Sequence, residues 1–202
     1  AFVSAVWPGC STDACNADKD KARDTSKVKA HIADHLMYRH WNAWDEGTRS
    51  HLFVVGTDGD VPRDLTPGAT YDVPPGPFGG SEGYAFSPDA KEMTYTAKDQ
   101  GKADAWTTDV NLYVVPVAGG SATVITKANV GGDQNPVYSP DGKYIAYASQ
   151  KRGGFESDRQ RLMLYDRTTK TSVEALPAWD RDRPFSTCDF DLQYKDYSWA
   201  DW

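Results

Sequence analysis

Phe86-Ser87-Pro88-Asp89-Ala90-Lys91-Glu92-Met93-Thr94-Tyr95-Thr96-Ala97 and Tyr138-Ser139-Pro140-Asp141-Gly142-Lys143-Tyr144-Ile145-Ala146-Tyr147-Ala148-Ser149 decide the fold. The two stretches lie 52 residues apart, agree at five of twelve positions, and correspond in where their apolar residues fall. Each reads as a β-hairpin. An aromatic residue leads into Ser-Pro-Asp, Pro presets φ at the first corner, and Asp-Gly supplies a residue with φ > 0. The second strand then alternates, with Tyr144, Ala146 and Ala148 on one face and Ile145, Tyr147 and Ser149 on the other. Ala90 stands where the second copy has Gly142, which predicts a slightly different turn in the first copy.

The correspondence continues outward. Asn111-Leu112-Tyr113-Val114-Val115 matches Arg161-Leu162-Met163-Leu164-Tyr165, and His51-Leu52-Phe53-Val54-Val55 has the same form. Each run meets a turn and then a short strand, at Arg63–Thr66, Ala122–Thr126 and Ser172–Leu176. The unit is four locally joined antiparallel strands in about 50 residues, the spacing of a β-propeller blade. The expected fold is all-β, a partial β-propeller. Residues 1–70 read as a blade lacking its first strand, because Ala1-Phe2-Val3-Ser4 aligns with Ala146-Tyr147-Ala148-Ser149. Residues 71–128 and 129–178 read as a second and a third blade, and 179–202 as the degenerate opening of a fourth. A start inside a strand, with no leading Met, is expected of a processed or truncated product. The insertion at 8–30 is rich in Asp and Lys and reads as a solvated loop with at most a turn or two of helix from Asp18.

Composition agrees. The 202 residues include 24 Asp but only five Glu, with 17 Gly and 12 Pro, so turn formers dominate over helix formers. Seven Trp, 11 Tyr and seven Phe are too many aromatics for a disordered chain, despite a mean hydropathy of −0.64. A net charge of −7 argues against nucleic acid and anionic membranes as partners. No apolar run reaches transmembrane length.

Several patterns could carry chemistry. Gly79-Gly80-Ser81-Glu82-Gly83 fits Gly-x-Ser-x-Gly, but a nucleophile elbow needs a strand before it and a helix after it, whereas a Pro/Gly connector and a strand flank this one. His31, His35 and His40 could ligate zinc, yet no Cys or Glu completes a known spacing, and Leu36–Trp41 reads as strand. Asp58-Gly59-Asp60 and Asp189-Phe190-Asp191 lack a calcium loop, and hairpin turns account for the first. No metal or cofactor is expected. Cys10 and Cys15, with four residues between them in a Gly/Ser/Asp loop, could form a local disulfide in an oxidising compartment. Cys188 then stays unpaired. Arg39-His40-Trp41-Asn42-Ala43-Trp44-Asp45-Glu46 is either the lining of a pocket for a cationic group or an exposed hairpin with satisfied charges.

The hairpin box resembles the propeller repeats of TolB-like proteins and of the prolyl oligopeptidase family. Asp34-His35-Leu36-Met37-Tyr38-Arg39-His40-Trp41-Asn42-Ala43-Trp44, Ser50-His51-Leu52-Phe53-Val54-Val55 and Pro75-Gly76-Pro77-Phe78-Gly79-Gly80 look like the propeller of bacterial dipeptidyl aminopeptidases and acylaminoacyl peptidases in that family. The resemblance covers the chain to about Arg183. It implies a parent serine peptidase whose Ser-Asp-His triad sits in a separate C-terminal α/β-hydrolase domain, with this chain as a non-catalytic part that gates and positions short peptides. It further implies that propeller acids or arginines hold a substrate's N-terminus or carbonyl, with Arg39, Glu46 and Glu82 as candidates, and it favours a periplasmic or secreted protein over a cytoplasmic one. The alternative is a TolB-like binding or scaffold propeller with no attached enzyme. Under either reading an incomplete propeller exposes strand edges, so self-association is expected.

Overall fold

The repeated hairpin builds the structure, a computed structural model that describes residues 1–34, 36–77 and 79–178. The expected fourth unit at 179–202, with Cys188 and Asp189–Asp191, lies outside the described residues, as does His35. Strand makes up 32% of the described residues and helix 12%, in an all-β, propeller-like arrangement of antiparallel sheets. β1 (Phe2–Val6), β4 (Arg49–Val54) and β5 (Arg63–Asp64) form a three-stranded sheet in the order β1-β4-β5. A two-stranded ribbon, β2 (Arg39–His40) and β3 (Ala43–Trp44), stands apart from it. The second sheet runs β6 (Tyr84–Phe86), β7 (Glu92–Ala97), β8 (Asn111–Pro116), β9 (Thr123–Val124). The third runs β10 (Asp133–Tyr138), β11 (Tyr144–Ser149), β12 (Arg161–Asp166), β13 (Thr171–Glu174). Strand order equals chain order in both four-stranded sheets, as local turns require.

The two hairpin boxes fold alike down to single bonds. Ser87 Oγ and Ser139 Oγ each donate to the Asp two residues on, at 2.7 Å, and the N–H of Ala90 and of Gly142 donates back to the Ser carbonyl at 2.8 Å. Ala90 takes φ +55° and Gly142 φ +70°, so both occupy the left-handed region. The expected difference in turn type is absent, because the Ser–Asp bonds fix the turn and Ala90 accepts the strain. A third echo links all three sheets: the N–H of Leu65, Ile125 and Ala175 donates to the carbonyl of Leu52, Leu112 and Leu162, at 2.8, 2.9 and 2.9 Å.

Two apolar clusters lie between neighbouring sheets. Leu52 and Leu65 of the first sheet region meet Met93, Tyr95 and Val115 of the second, and Leu112 meets Tyr138, Ile145, Tyr147 and Tyr165 of the third. Polar bonds pin the second joint. Thr94 Oγ1 donates to Tyr138 Oη at 2.7 Å, Tyr138 Oη donates to Glu92 Oε1 at 3.0 Å, and Arg167 pairs with the same carboxylate oxygen while lying over the Tyr138 ring. Asp133 is fully buried at this joint. Its Oδ1 accepts from Asn129 Nδ2 at 3.0 Å, while Oδ2 has no hydrogen-bond partner among the described residues. Burial pushes its carboxyl up to about 6, against the opposing pull of Ser149, Thr126 and Asn129.

The insertion at 8–30 is not a solvated loop. It holds helix α1 (Asp13–Thr25), capped by Thr12 Oγ1, which accepts from Cys15 N at 3.2 Å, and joined to the preceding turn by a Cys10–Cys15 disulfide. No residue of α1 is buried, so it carries no apolar stripe that patterning could detect. Trp7, at the end of β1, holds it instead. The Trp7 backbone N–H donates to Asn16 Oδ1 at 2.7 Å, its indole N–H donates to Asp20 Oδ1 at 3.0 Å, and Lys19 and Arg23 lie over its ring. No helix among the described residues is long and apolar enough to cross a membrane.

Relieving the left-handed strain by Ala90→Gly is expected to stabilise the fold by about 0.5–1 kcal/mol, with Gly142→Ala costing a similar amount, both read as shifts in the chemical denaturation midpoint. Asp133 gives a pH signature. Its folded pKa lies above the unfolded value, so its ionisation opposes folding, and stability from this group is lost as pH rises from about 4 through about 6. Asp133→Asn is therefore expected to add roughly 2–3 kcal/mol more at pH 7.5 than at pH 4. An equal effect at both pH values would refute this account.

Candidate functional site

The ends of the strands and their connectors surround one open cleft of about 1670 Å³. The β2–β3 ribbon forms one rim, residues 70–77, 79–83 and 96–110 form the middle, and the start of β10 with residues 150–160 forms the far wall. Trp41 and Trp106, 68% and 69% exposed, and Trp44 make the rim aromatic. The ribbon is short. Met37 and Trp41 have φ of +63° and +46°, so the strand expected over Leu36–Trp41 is confined to Arg39–His40.

Arg39, Glu46 and Glu82, from three separate segments, all line this cleft. Arg39 is exposed, and its Nη1 donates to Trp41 O at 2.5 Å, which folds the guanidinium over the ribbon's own turn. Glu46 is exposed and pairs with Arg23 Nη1 of α1 at 3.2 Å. Glu82 is half-buried in a 3₁₀ turn, Ser81–Gly83, and its Oε1 accepts from Gly80 N at 3.0 Å. A Cβ on Gly80 would come within 2.5 Å of Glu82 Oε2, so a glycine there lets the carboxylate fold onto its own backbone. The turn runs directly into β6 and no helix follows Ser81, so the Gly-x-Ser-x-Gly pattern forms no nucleophile elbow.

The histidines go to separate partners. His31 stacks on Trp44 at 4.4 Å between ring centroids, and His40 tilts against Trp41 at 4.7 Å. His51 is buried with Nδ1 2.7 Å from Asp64 Oδ2 and Nε2 3.0 Å from Ala69 O. Burial alone would lower its pKa, but the Asp64 bond, the Ala69 carbonyl and the charges of Asp64 and Asp72 together raise it. Among the described residues no group of three His, Cys, Asp or Glu side chains is arranged to hold a metal ion.

Residues that the sequence reading passed over complete the site. Arg49 makes a two-pronged pair with Asp45, both bonds 2.7 Å, and also donates to Thr70 O at 3.0 Å. The Asp45 hydrogen bond holds the guanidinium above its ordinary pKa, against the opposing effect of burial. Lys98 is tied to Asp104. Altogether eight carboxylates and four Lys or Arg side chains line the cleft, an acidic excess suited to a cationic group.

No family model matches the chain. Among individual proteins, the class that emerges is that of dipeptidyl peptidases. The chain is 35% identical over 166 residues to dipeptidyl-peptidase 5 of Porphyromonas gingivalis, covering 80% of this chain and 24% of that protein. It is 35% identical over 156 residues to dipeptidyl-peptidase 5 of Porphyromonas endodontalis, covering 74% and 22%, and 33% identical over 204 residues to probable dipeptidyl-peptidase 5 of Aspergillus niger, covering 89% and 28%. The chain spans about a quarter of the length of these relatives. They support a relationship with dipeptidyl peptidases.

Removing Asp45 leaves the half-buried Arg49 without its paired carboxylate, with only the weaker influence of Asp72 and Asp104. Asp45→Ala is expected to cost about 1–3 kcal/mol in denaturant titration, most of which Arg49→Met on the same background should restore.

Proposed function

We propose that this chain is the non-catalytic, propeller-type segment of a serine exopeptidase of the dipeptidyl peptidase class, gating and positioning short peptides over an α/β-hydrolase domain. The observation that carries this reading is the convergence of Glu82, Glu46 and Arg39 on one acidic, aromatic-rimmed cleft in a chain related to dipeptidyl peptidases. Glu82 Oε1 is already held by the Gly80 N–H, which leaves Oε2 to receive the α-ammonium of a peptide. Glu46 contributes less, because it is exposed and committed to Arg23. Arg39 reaches a carbonyl only by exchanging its bond to Trp41 O. The relationship to dipeptidyl peptidases favours this reading over a scaffold propeller without an enzyme.

The partners follow from the same reading: a hydrolase domain, short peptides, and a second copy at open edges. β1 is an outer strand of its sheet, and its free edge is where such pairing would begin. The Cys10–Cys15 bond fits an oxidising compartment, periplasmic or extracellular.

The test is calorimetric titration of the chain with a dipeptide amide carrying a free amine and with its N-acetyl form. The free amine is expected to bind about tenfold more tightly, and Glu82→Gln to remove most of that difference. Equal binding of the two peptides would overturn the role of Glu82. Hydrolysis of either peptide by the chain alone, or fluorophosphonate labelling of Ser81, would overturn the non-catalytic assignment.

A further inference from the structure

The 52-residue repeat extends upstream of the hairpin box into the cleft wall. Gly79-Gly80-Ser81-Glu82-Gly83 precedes β6, and Gly131-Gly132-Asp133-Gln134-Asn135 opens into β10 at the same offset. The leading glycines serve the same purpose. A Cβ on Gly79 would come within 2.5 Å of Pro75 O, and one on Gly131 within 2.3 Å of Gln150 O. Glu82, in the turn ahead of β6, and Gln134, in β10, are therefore equivalent positions in the repeat, and both line the cleft. Where one repeat offers a carboxylate, the next offers a neutral amide.

Amides recur in the wall around Gln134, beside the Glu156 carboxylate. Gln150 is committed to structure, its Nε2 donating to Glu156 O at 2.7 Å and Asp158 O at 3.0 Å, which fixes the segment that carries Gln160. Gln160 is different. It is 5% exposed and lines the cleft, yet its Oε1 has no hydrogen-bond partner among the described residues. An unmet buried acceptor is costly, and native proteins keep few of them. Asn135 adds a second feature. It sits at φ +57° where the β10–β11 register shifts between Gln134 and Val137, and such bulges re-aim side chains.

We propose that Gln134, Asn135 and Gln160 form a neutral subsite for the main chain of a peptide in the cleft, with Gln160 Oε1 accepting a peptide N–H. A side-chain amide carries both an acceptor and donors, which is the complement of a peptide group. The subsite carries no charge of its own, so it discriminates by hydrogen bonding and tolerates any side chain. This rests on the reading that peptides occupy the cleft. It assigns the charged end to Glu82 and the uncharged main chain to the equivalent position one repeat on.

The experiment titrates the full chain with an alanine tetrapeptide amide and with three versions methylated at one internal nitrogen each, read by tryptophan fluorescence, since Trp41, Trp44 and Trp106 line the cleft. One methylated version is expected to bind about tenfold more weakly. In Gln160→Met, which keeps the volume and loses the acceptor, the unmethylated peptide should bind about tenfold more weakly, with no further loss from methylation at that nitrogen. If no methylated peptide loses affinity on the unaltered chain, the proposal is overturned, and that arm needs no variant to fold. It is also overturned if Gln160→Met keeps the full methylation penalty. An N-acetyl tetrapeptide separates the two ideas. If it binds as the free amine does while the methylation penalty still tracks Gln160, the amide subsite stands and the role of Glu82 falls.

Discussion

Each sheet has two faces, and among the described residues no helix packs on the apolar clusters, so the faces that are buried are covered by the neighbouring sheet. The whole structure depends on that constraint. Leu52 and Leu65 share one buried cluster with Met93, Tyr95 and Val115 of the second sheet, and Leu112 shares another with Tyr138 and Ile145 of the third. The Thr94–Tyr138–Glu92 chain and Arg167 then fix how far one sheet can slide on the next. Backbone bonds hold a sheet together, but packing between sheets sets where each strand end points.

The cleft follows from this stacking. The residues that line it come from the ends of strands and from the connectors between sheets, so no local segment contains it. Glu82, Lys98, Gln134 and Gln160 face one space because the second and third sheets are held side by side. Its acidic excess is likewise a property of assembly. Arg49 and Lys98 are neutralised by Asp45 and Asp104, while Glu82 is held through one oxygen by the Gly80 N–H.

The hairpins were legible in the sequence because their bonds are local. Ser, Asp and the left-handed residue lie within four positions, and the same pattern occurs twice. The four-strand unit was legible because the repeat makes it periodic. The difference expected at Ala90 was not realised, because side-chain bonds outweighed one residue's φ preference. Helix α1 was missed because its anchors are Trp7 and a disulfide rather than an apolar stripe. Arg39, Glu46 and Glu82 could be singled out by residue type beside aromatics, but their convergence could not, since it needs the sheets in place. The kinship of Glu82 and Gln134 was present in the sequence, though only for a comparison that continued upstream of the turn.

Helix α1 has a consequence of another kind. It buries none of its residues, so almost nothing hydrophobic secures it. Its hold on the molecule is one covalent link at its start, two hydrogen bonds to Trp7, and cations over an indole, while its Arg23 reaches across to Glu46 on the cleft rim. A reductant cuts the first of these and leaves the rest, whereas salt weakens the ionic contacts and leaves the first. The rim of the cleft is thus joined to the surrounding medium through two independent variables, thiol chemistry and ionic strength, by a segment that the core itself does not need.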